Sequence, residues 1–378
     1  MSGPTAADGA GTVPGAAPRR QRGRSTGDAE VDAAIEHLLD LAGAHADRDL
    51  LFDLFATAVD LAGDDADRLD LKIATAALRE MATAFGMFAP YRSYPKITIF
   101  GSARTQPDDP LYLQARDLAA AMAAEGWMVI TGAGPGIMAA GIEGAGREHS
   151  FGVNIRLPHE QEPNPFIKGD PKLVAMKYFF TRKLELIKES DGFVVLPGGF
   201  GTLDESFELL TLLQNGKTLP TPVVFLETPG GTYWDEWQAF LAAEVATRGY
   251  IHDHDLDLFL VTEDVAEAVA EIRGFYRNYH SMRWTGSTLV LRLNAAPTDE
   301  ELEAINERFG DLAVTGRIER SGPTGPEAAD DDHPELPRLA IRFDFNRYGR
   351  LRTLIDALNA LPSAPKHLAL PPGHHAPA

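Results

Sequence analysis

The chain has 378 residues, 35 of them Lys or Arg and 55 Asp or Glu, for a formal charge of −20 and no cysteine. At roughly 100–200 residues per domain, two or three folded units are expected. The acidic balance speaks against a broad grip on nucleic acid, which needs clustered cations, and against an anionic membrane surface. The lack of cysteine removes disulfides, thiolate metal sites and thiol nucleophiles.

Residues 1–27 are rich in Gly, Ala, Pro and Ser and read as a disordered tail. The basic run Arg19-Arg20-Gln21-Arg22-Gly23-Arg24 reads as solvated tail, with a nucleic-acid arm as the lesser reading. No apolar stretch reaches the ~20 residues of a spanning helix, and no apolar signal core follows Met1, so a cytoplasmic location is expected. Residues 28–90 carry helical periodicity. Val31, Ile35, Leu38, Leu39 and Ala42 form one stripe; Leu50, Leu51, Leu54, Phe55, Val59 and Leu61 a second; Leu69, Ile73, Ala77, Leu78 and Met81 a third.

From residue 92 to 280 short apolar runs alternate with helical stretches. Strands are expected at Ile97–Phe100, Met128–Thr131, Gly152–Ile155, Gly192–Leu196, Val223–Leu226 and Leu258–Val261. Repeated β-α units with strands buried on both faces give an α/β, Rossmann-like, doubly wound parallel sheet. Its ligands bind at the carboxyl ends of the strands. Residues 287–361 read as a small α+β unit in β-α-β-β-α order, with strands Thr288–Leu293, Leu312–Ile318 and Leu339–Phe345 and helices Asp299–Arg308 and Arg350–Leu361. Its acidic, Pro-rich loop 321–337 is expected to be mobile, with Asp330-Asp331-Asp332-His333 merely solvated. A Pro/His-rich tail covers 362–378.

Three segments carry candidate chemistry. Thr131-Gly132-Ala133-Gly134-Pro135-Gly136 follows a strand and opens a helix, as an anion-binding turn would. It breaks the dinucleotide fingerprint at Ile137, and the first turn, Gly101-Ser102-Ala103-Arg104, lacks that fingerprint altogether, which disfavours a nicotinamide-dependent dehydrogenase. A tight structural turn is the plainer reading. Pro197-Gly198-Gly199-Phe200-Gly201-Thr202-Leu203-Asp204-Glu205 is the stronger candidate, because its glycines free backbone amides to wrap a phosphate. Thr202 and Glu205 also fit a capping box, so Glu205 either caps the helix or faces the ligand. Arg182 and Lys183 lie on the helix that begins near Met176 and leads into the Gly192 strand. They are either solvated or supply fixed positive charge. His252-Asp253-His254-Asp255 reads as a loop rather than a metal site, and neither Gly-x-Ser-x-Gly nor HExxH is present.

Together these segments resemble the LONELY GUY (LOG) family, whose proteins are often mislabelled lysine decarboxylases. The nine residues Pro197–Glu205 match its PGG-x-GT-x-x-E signature, and Arg182-Lys183 matches its second element. Gly101–Arg104 and Thr131–Ala145 resemble its two earlier loops, and Gly152–Gln161 with Pro163-Asn164-Pro165 is similar to its larger bacterial branch. The resemblance implies a phosphoribohydrolase that cleaves the N-glycosidic bond of a nucleoside 5′-monophosphate, of the AMP or N6-modified AMP class. It implies Arg182 and Glu205 as the catalytic pair. It implies Gly198, Gly199, Gly201 and Thr202 as the phosphate cradle, with Gly134, Gly136, Ser102 and Lys183 as further nucleotide-binding residues. No metal or cofactor is implied, and a homodimer or higher homo-oligomer is. The alternative is a non-catalytic nucleotide-binding sensor using the same cradle.

Overall fold

The computed structural model describes residues 25–63, 65–156 and 162–368. The basic run 19–24, the motif positions 157–161 and the tail from 369 lie outside the described residues. The chain divides into two compact units at Ala76/Ala77.

In the first unit, α1 (Ala29–Leu41) starts where the Asp28 carboxylate accepts the Glu30 and Val31 amides. It packs on α2 (Arg48–Gly63) through Ile35, Leu39, Phe52 and Ala56. The buried stripe is narrower than the periodicity suggests: Leu38, Leu50 and Leu54 stay exposed, because one helix pair buries only a single line of contact. Helix α3 (Arg68–Phe88) runs across the division: its first-unit residues Leu69 and Leu71 are exposed, and among its second-unit residues Leu78 is exposed while Ala84 and Phe88 are buried in that unit's own core.

The second unit is built on a seven-stranded, all-parallel sheet: β1 (Lys96–Phe100), β2 (Met128–Thr131), β3 (Ser150–Ile155), β4 (Leu173–Met176), β5 (Gly192–Val195), β6 (Val223–Leu226) and β7 (Leu260–Thr262). Their spatial order is β4-β3-β2-β1-β5-β6-β7. The crossovers carry α4 (Pro110–Ala124), α5 (Ile137–Ala145), α6 (Phe179–Lys188), α7 (Phe200–Gln214), α8 (Tyr233–Phe240) and α9 (Val265–Phe275). Period-two alternation splits the core. Ile97, Ile99, Val129 and Val194 face α4, α5 and α9, whereas Phe100, Ile130, Phe193 and Val195 face α3, α6 and α7. Covering both faces is why these strands read as continuous apolar runs. Strand β4 is the one that periodicity missed. Met176, read as helical, is its last residue, and α6 starts at Phe179.

Because β2 lies on one side of β1 and β5 on the other, the strand order reverses at β1/β5. The loops leaving those two strands therefore diverge at their carboxyl ends and leave a crevice.

A second, antiparallel sheet has the order β10-β11-β9-β8, from β8 (Tyr279–Thr285), β9 (Thr288–Leu293), β10 (Glu319–Ser321) and β11 (Arg338–Ile341). It carries α10 (Asp299–Phe309), α11 (Gly325–Ala329) and α12 (Arg350–Asn359). The element order differs from the expected β-α-β-β-α. A strand precedes residue 287, and 312–318 is not a strand, since only Ala313 bridges there, to Phe343, before Gly316 turns the chain at φ +79°. One apolar cluster runs without a break from Ile97 through Phe275 and Tyr279 to Leu289 and Leu354, so both sheets share a core.

The acidic loop is also not as expected. The Glu327 carboxylate, fully buried on α11, accepts from Arg292 Nε at 3.0 Å and Arg338 Nε at 3.2 Å. Asp332 accepts from Arg283 at 2.8 Å and Arg292 at 2.5 Å, and Asp330 from Arg283 at 2.6 Å. Three arginines on neighbouring strands need anionic partners once buried, and this loop supplies them.

Candidate active site

Three loops meet at the β1/β5 crevice, and Ser102 joins them. Its amide donates to Pro197 O at 3.2 Å, while its carbonyl accepts the Ile137 amide at 3.0 Å. The first turn is thus held to both glycine loops by peptide groups alone. Gly136 makes the second tie feasible. It sits at φ +66°, and a Cβ there would lie 2.3 Å from Ser102 O. Gly134 O accepts from the buried Asn164 Nδ2 at 3.1 Å. Gly134 and Gly136 consequently shape the frame and do not line the cavity.

The cavity measures about 670 Å³ and is lined by Gly101–Arg104, Gly132, Met138, Arg182, Gly198–Leu203 and Glu205. Helix α7 begins at Phe200 with Gly199 as its N-cap, and no side chain caps it. Thr202, in the first turn, is buried and does not cap, and Glu205 lies nearly two turns into the helix. The capping-box pattern is therefore not used as one. The helix starts earlier than that box requires and leaves its first amides facing the crevice, where they and the helix dipole favour an anion. Tyr233 Oη donates to Gly198 O at 2.7 Å and steadies the turn from α8.

Arg182 and Glu205 come together here. Arg182 Nη1 lies 3.3 Å from Glu205 Oε1, and Arg182 Nε donates to Val153 O at 3.0 Å. Both side chains are nearly buried, at 10% and 12% exposure. Burial pushes the Glu205 carboxyl up to about 7, against the opposing pull of the Arg182 guanidinium. Gly132 makes room for the pair: a Cβ at this position would stand 2.0 Å from Arg182 Nη2. The start of α6 is held by Glu80 of α3, whose carboxylate accepts the Lys177 amide at 2.8 Å and Thr181 Oγ1 at 2.7 Å.

Lys183 points elsewhere. It pairs with Asp204 at 3.1 Å and Glu208 at 2.5 Å, which ties α6 to α7 outside the cavity. Of the residues expected at the site, Arg182, Glu205, Gly198, Gly199, Gly201, Thr202 and Ser102 share the cavity wall, and Gly134, Gly136 and Lys183 do not. Glu80, the Val153 carbonyl and Tyr233 carry no local sequence signal, because each acts across more than 25 residues of sequence. Arg104 lies in the first turn, where no local pattern marks its side chain.

Residues 135–272 match the family model described as "Possible lysine decarboxylase". The chain is 28% identical over 155 residues to the cytokinin riboside 5′-monophosphate phosphoribohydrolase LOG1 of Arabidopsis thaliana, which covers 41% of this chain and 70% of that protein. It is 27% identical over 146 residues to the LOG enzyme of the same name from Oryza sativa subsp. japonica, covering 38% and 57%. The phosphoribohydrolase of that name from Mycobacterium marinum is 28% identical over 165 residues, covering 43% and 86%. The chain thus spans between just over half and most of these relatives, and more than half of its own length lies outside each match. The Rossmann-like core of this chain is thus similar to the LOG phosphoribohydrolases and carries the match to the family described as possible lysine decarboxylases.

Proposed function

We propose that the chain is a nucleoside 5′-monophosphate phosphoribohydrolase of the AMP or N6-modified AMP class, acting in the cytoplasm and releasing the free base and ribose 5-phosphate. The observation that carries this reading is the buried Arg182–Glu205 pair beside uncapped helix amides in one crevice. The names of the relatives support it.

The chemistry follows from the groups present. As the C1′–N bond breaks, its electron pair leaves with the base, which takes up one proton. Positive charge develops on the ribosyl ring. In this reading the Glu205 carboxylate stabilises that charge and accepts the proton of the water that attacks C1′. Arg182 keeps this carboxylate in place and ionisable despite its burial. Amides of the Gly198–Thr202 turn hold the phosphate, and binding energy far from C1′ positions the sugar. Phe179, Phe180 and Leu184 of α6 and Phe200 and Phe207 of α7 are exposed, and a homodimer or higher homo-oligomer covering them belongs to the same reading.

Incubating the protein with AMP, an N6-modified AMP, GMP, CMP and UMP, with chromatography of free base, is expected to show release from an adenine nucleotide. Glu205→Gln and Arg182→Ala should each lower turnover by about a hundredfold or more with circular dichroism unchanged. Nucleotide binding without base release from any member of the panel would support the sensor instead.

The pH profile follows from Glu205. The ionised form is the active one and its pKa is about 7, so activity rises with pH through a midpoint near 7 and fades below it. Asp204 adds negative charge nearby and raises this pKa; Asp204→Asn is therefore expected to move the midpoint to lower pH. A flat rate from pH 5 to 9 would remove Glu205 from the proton transfer.

A further inference from the structure

We propose that Arg104 is the residue that recognises the substrate's 5′-phosphate and discriminates nucleotide from nucleoside; this rests on the reading of the crevice as a nucleotide site. A phosphate monoester carries about −1.5 to −2 charges at neutral pH, and the chain as a whole carries −20. Neutral amides at the glycine turn satisfy oxygens but do not balance that charge.

Arg182 is committed elsewhere. Its Nε is on the Val153 carbonyl, its Nη1 on Glu205, and its Nη2 lies over Gly132. Lys183 is turned away and neutralised by Asp204 and Glu208. Among the described residues, Arg104 is the other cation on the cavity wall. Its backbone is pinned, with the amide donating to Ser102 Oγ at 3.1 Å and the carbonyl accepting from Gln106 Nε2 at 2.9 Å. Its guanidinium makes no hydrogen bond or ion pair among the described residues, and the residue is exposed. A fixed backbone with an uncommitted planar fork suits bidentate capture of phosphate oxygens. Arg104 stands two residues after Ser102, whose amide is tied to Pro197 at the start of the glycine turn, and it shares the cavity wall with that turn.

The test uses the full chain and its Arg104→Ala and Arg104→Lys variants. Calorimetric titration compares ribose 5-phosphate with ribose and AMP with adenosine, and steady-state kinetics separate KM from kcat. Arg104→Ala is expected to weaken ribose 5-phosphate and AMP binding about tenfold or more, to leave adenosine within about twofold, and to raise KM with kcat nearly unchanged. Arg104→Lys should lie between, since it keeps charge but not the fork. Arg104→Ala binding ribose 5-phosphate as tightly as the parent, or losing adenosine equally, overturns the proposal while parental turnover keeps the hydrolase reading. Binding that depends on Arg104 without any turnover supports the phosphate contact and overturns the hydrolase reading instead.

Discussion

Gly132→Ala is expected to lower turnover by about a hundredfold or more while costing little stability. The added Cβ would lie 2.0 Å from Arg182 Nη2 and 2.6 Å from Met138 Sδ. Both atoms lie toward the ends of flexible side chains, so the fold absorbs the methyl by moving them. Moving the guanidinium costs the geometry of its contacts with Glu205 and Val153 O. A displacement near 1 Å at a reacting centre is enough for about a hundredfold. Gly136→Ala is the contrast, because its Cβ would meet backbone atoms of Ser102 and Ala103 at positive φ, so that variant should lose stability as well. Equal activity of Gly132→Ala and parent would show that Arg182 need not be where it stands.

Glu327→Gln is the substitution expected to cost the most stability, about 3–5 kcal/mol by the measure of broken buried ion pairs. The carboxylate accepts from Arg292 and Arg338, both nearly buried, and from the Thr324 amide and hydroxyl at 2.9 and 2.8 Å. Burial works to raise its pKa, but these donors hold it below the ordinary carboxylate value. Its contribution to stability is therefore present above that ordinary value and lost as pH falls through the depressed one. Asp311→Asn is the control. It removes an acid reached by Arg347 and Arg350 at the surface and should cost under ~1 kcal/mol. Urea denaturation of both variants checks this, and similar midpoints for the two would refute the ranking.

The core strands were legible because burial on both faces turns a parallel strand into a short, unbroken apolar run. Leu173–Met176 escaped because it is an edge strand whose burial alternates. The catalytic candidates were legible through the nine-residue signature, but the same residues fitted a capping box, and only the observed start of α7 at Phe200 separates the two uses of Glu205. Gly132 looked like part of an anion turn, whereas its effect is to leave room for a side chain fifty residues away. The acidic loop looked mobile because composition does not reveal that Arg283, Arg292 and Arg338 stand on adjacent strands. Such pairings depend on register, which local pattern does not encode.

The first turn is tied to both glycine loops by two peptide-to-peptide bonds through Ser102. No side-chain atom takes part in either, so apart from proline at 102 or 137, and the glycine required at 136, the mount is indifferent to which side chains it displays. Residues hung from it, such as Arg104 or Phe200, can be exchanged for others without redesigning their support. A scaffold of this kind keeps the loops in one arrangement while the side chains they display are exchanged one residue at a time.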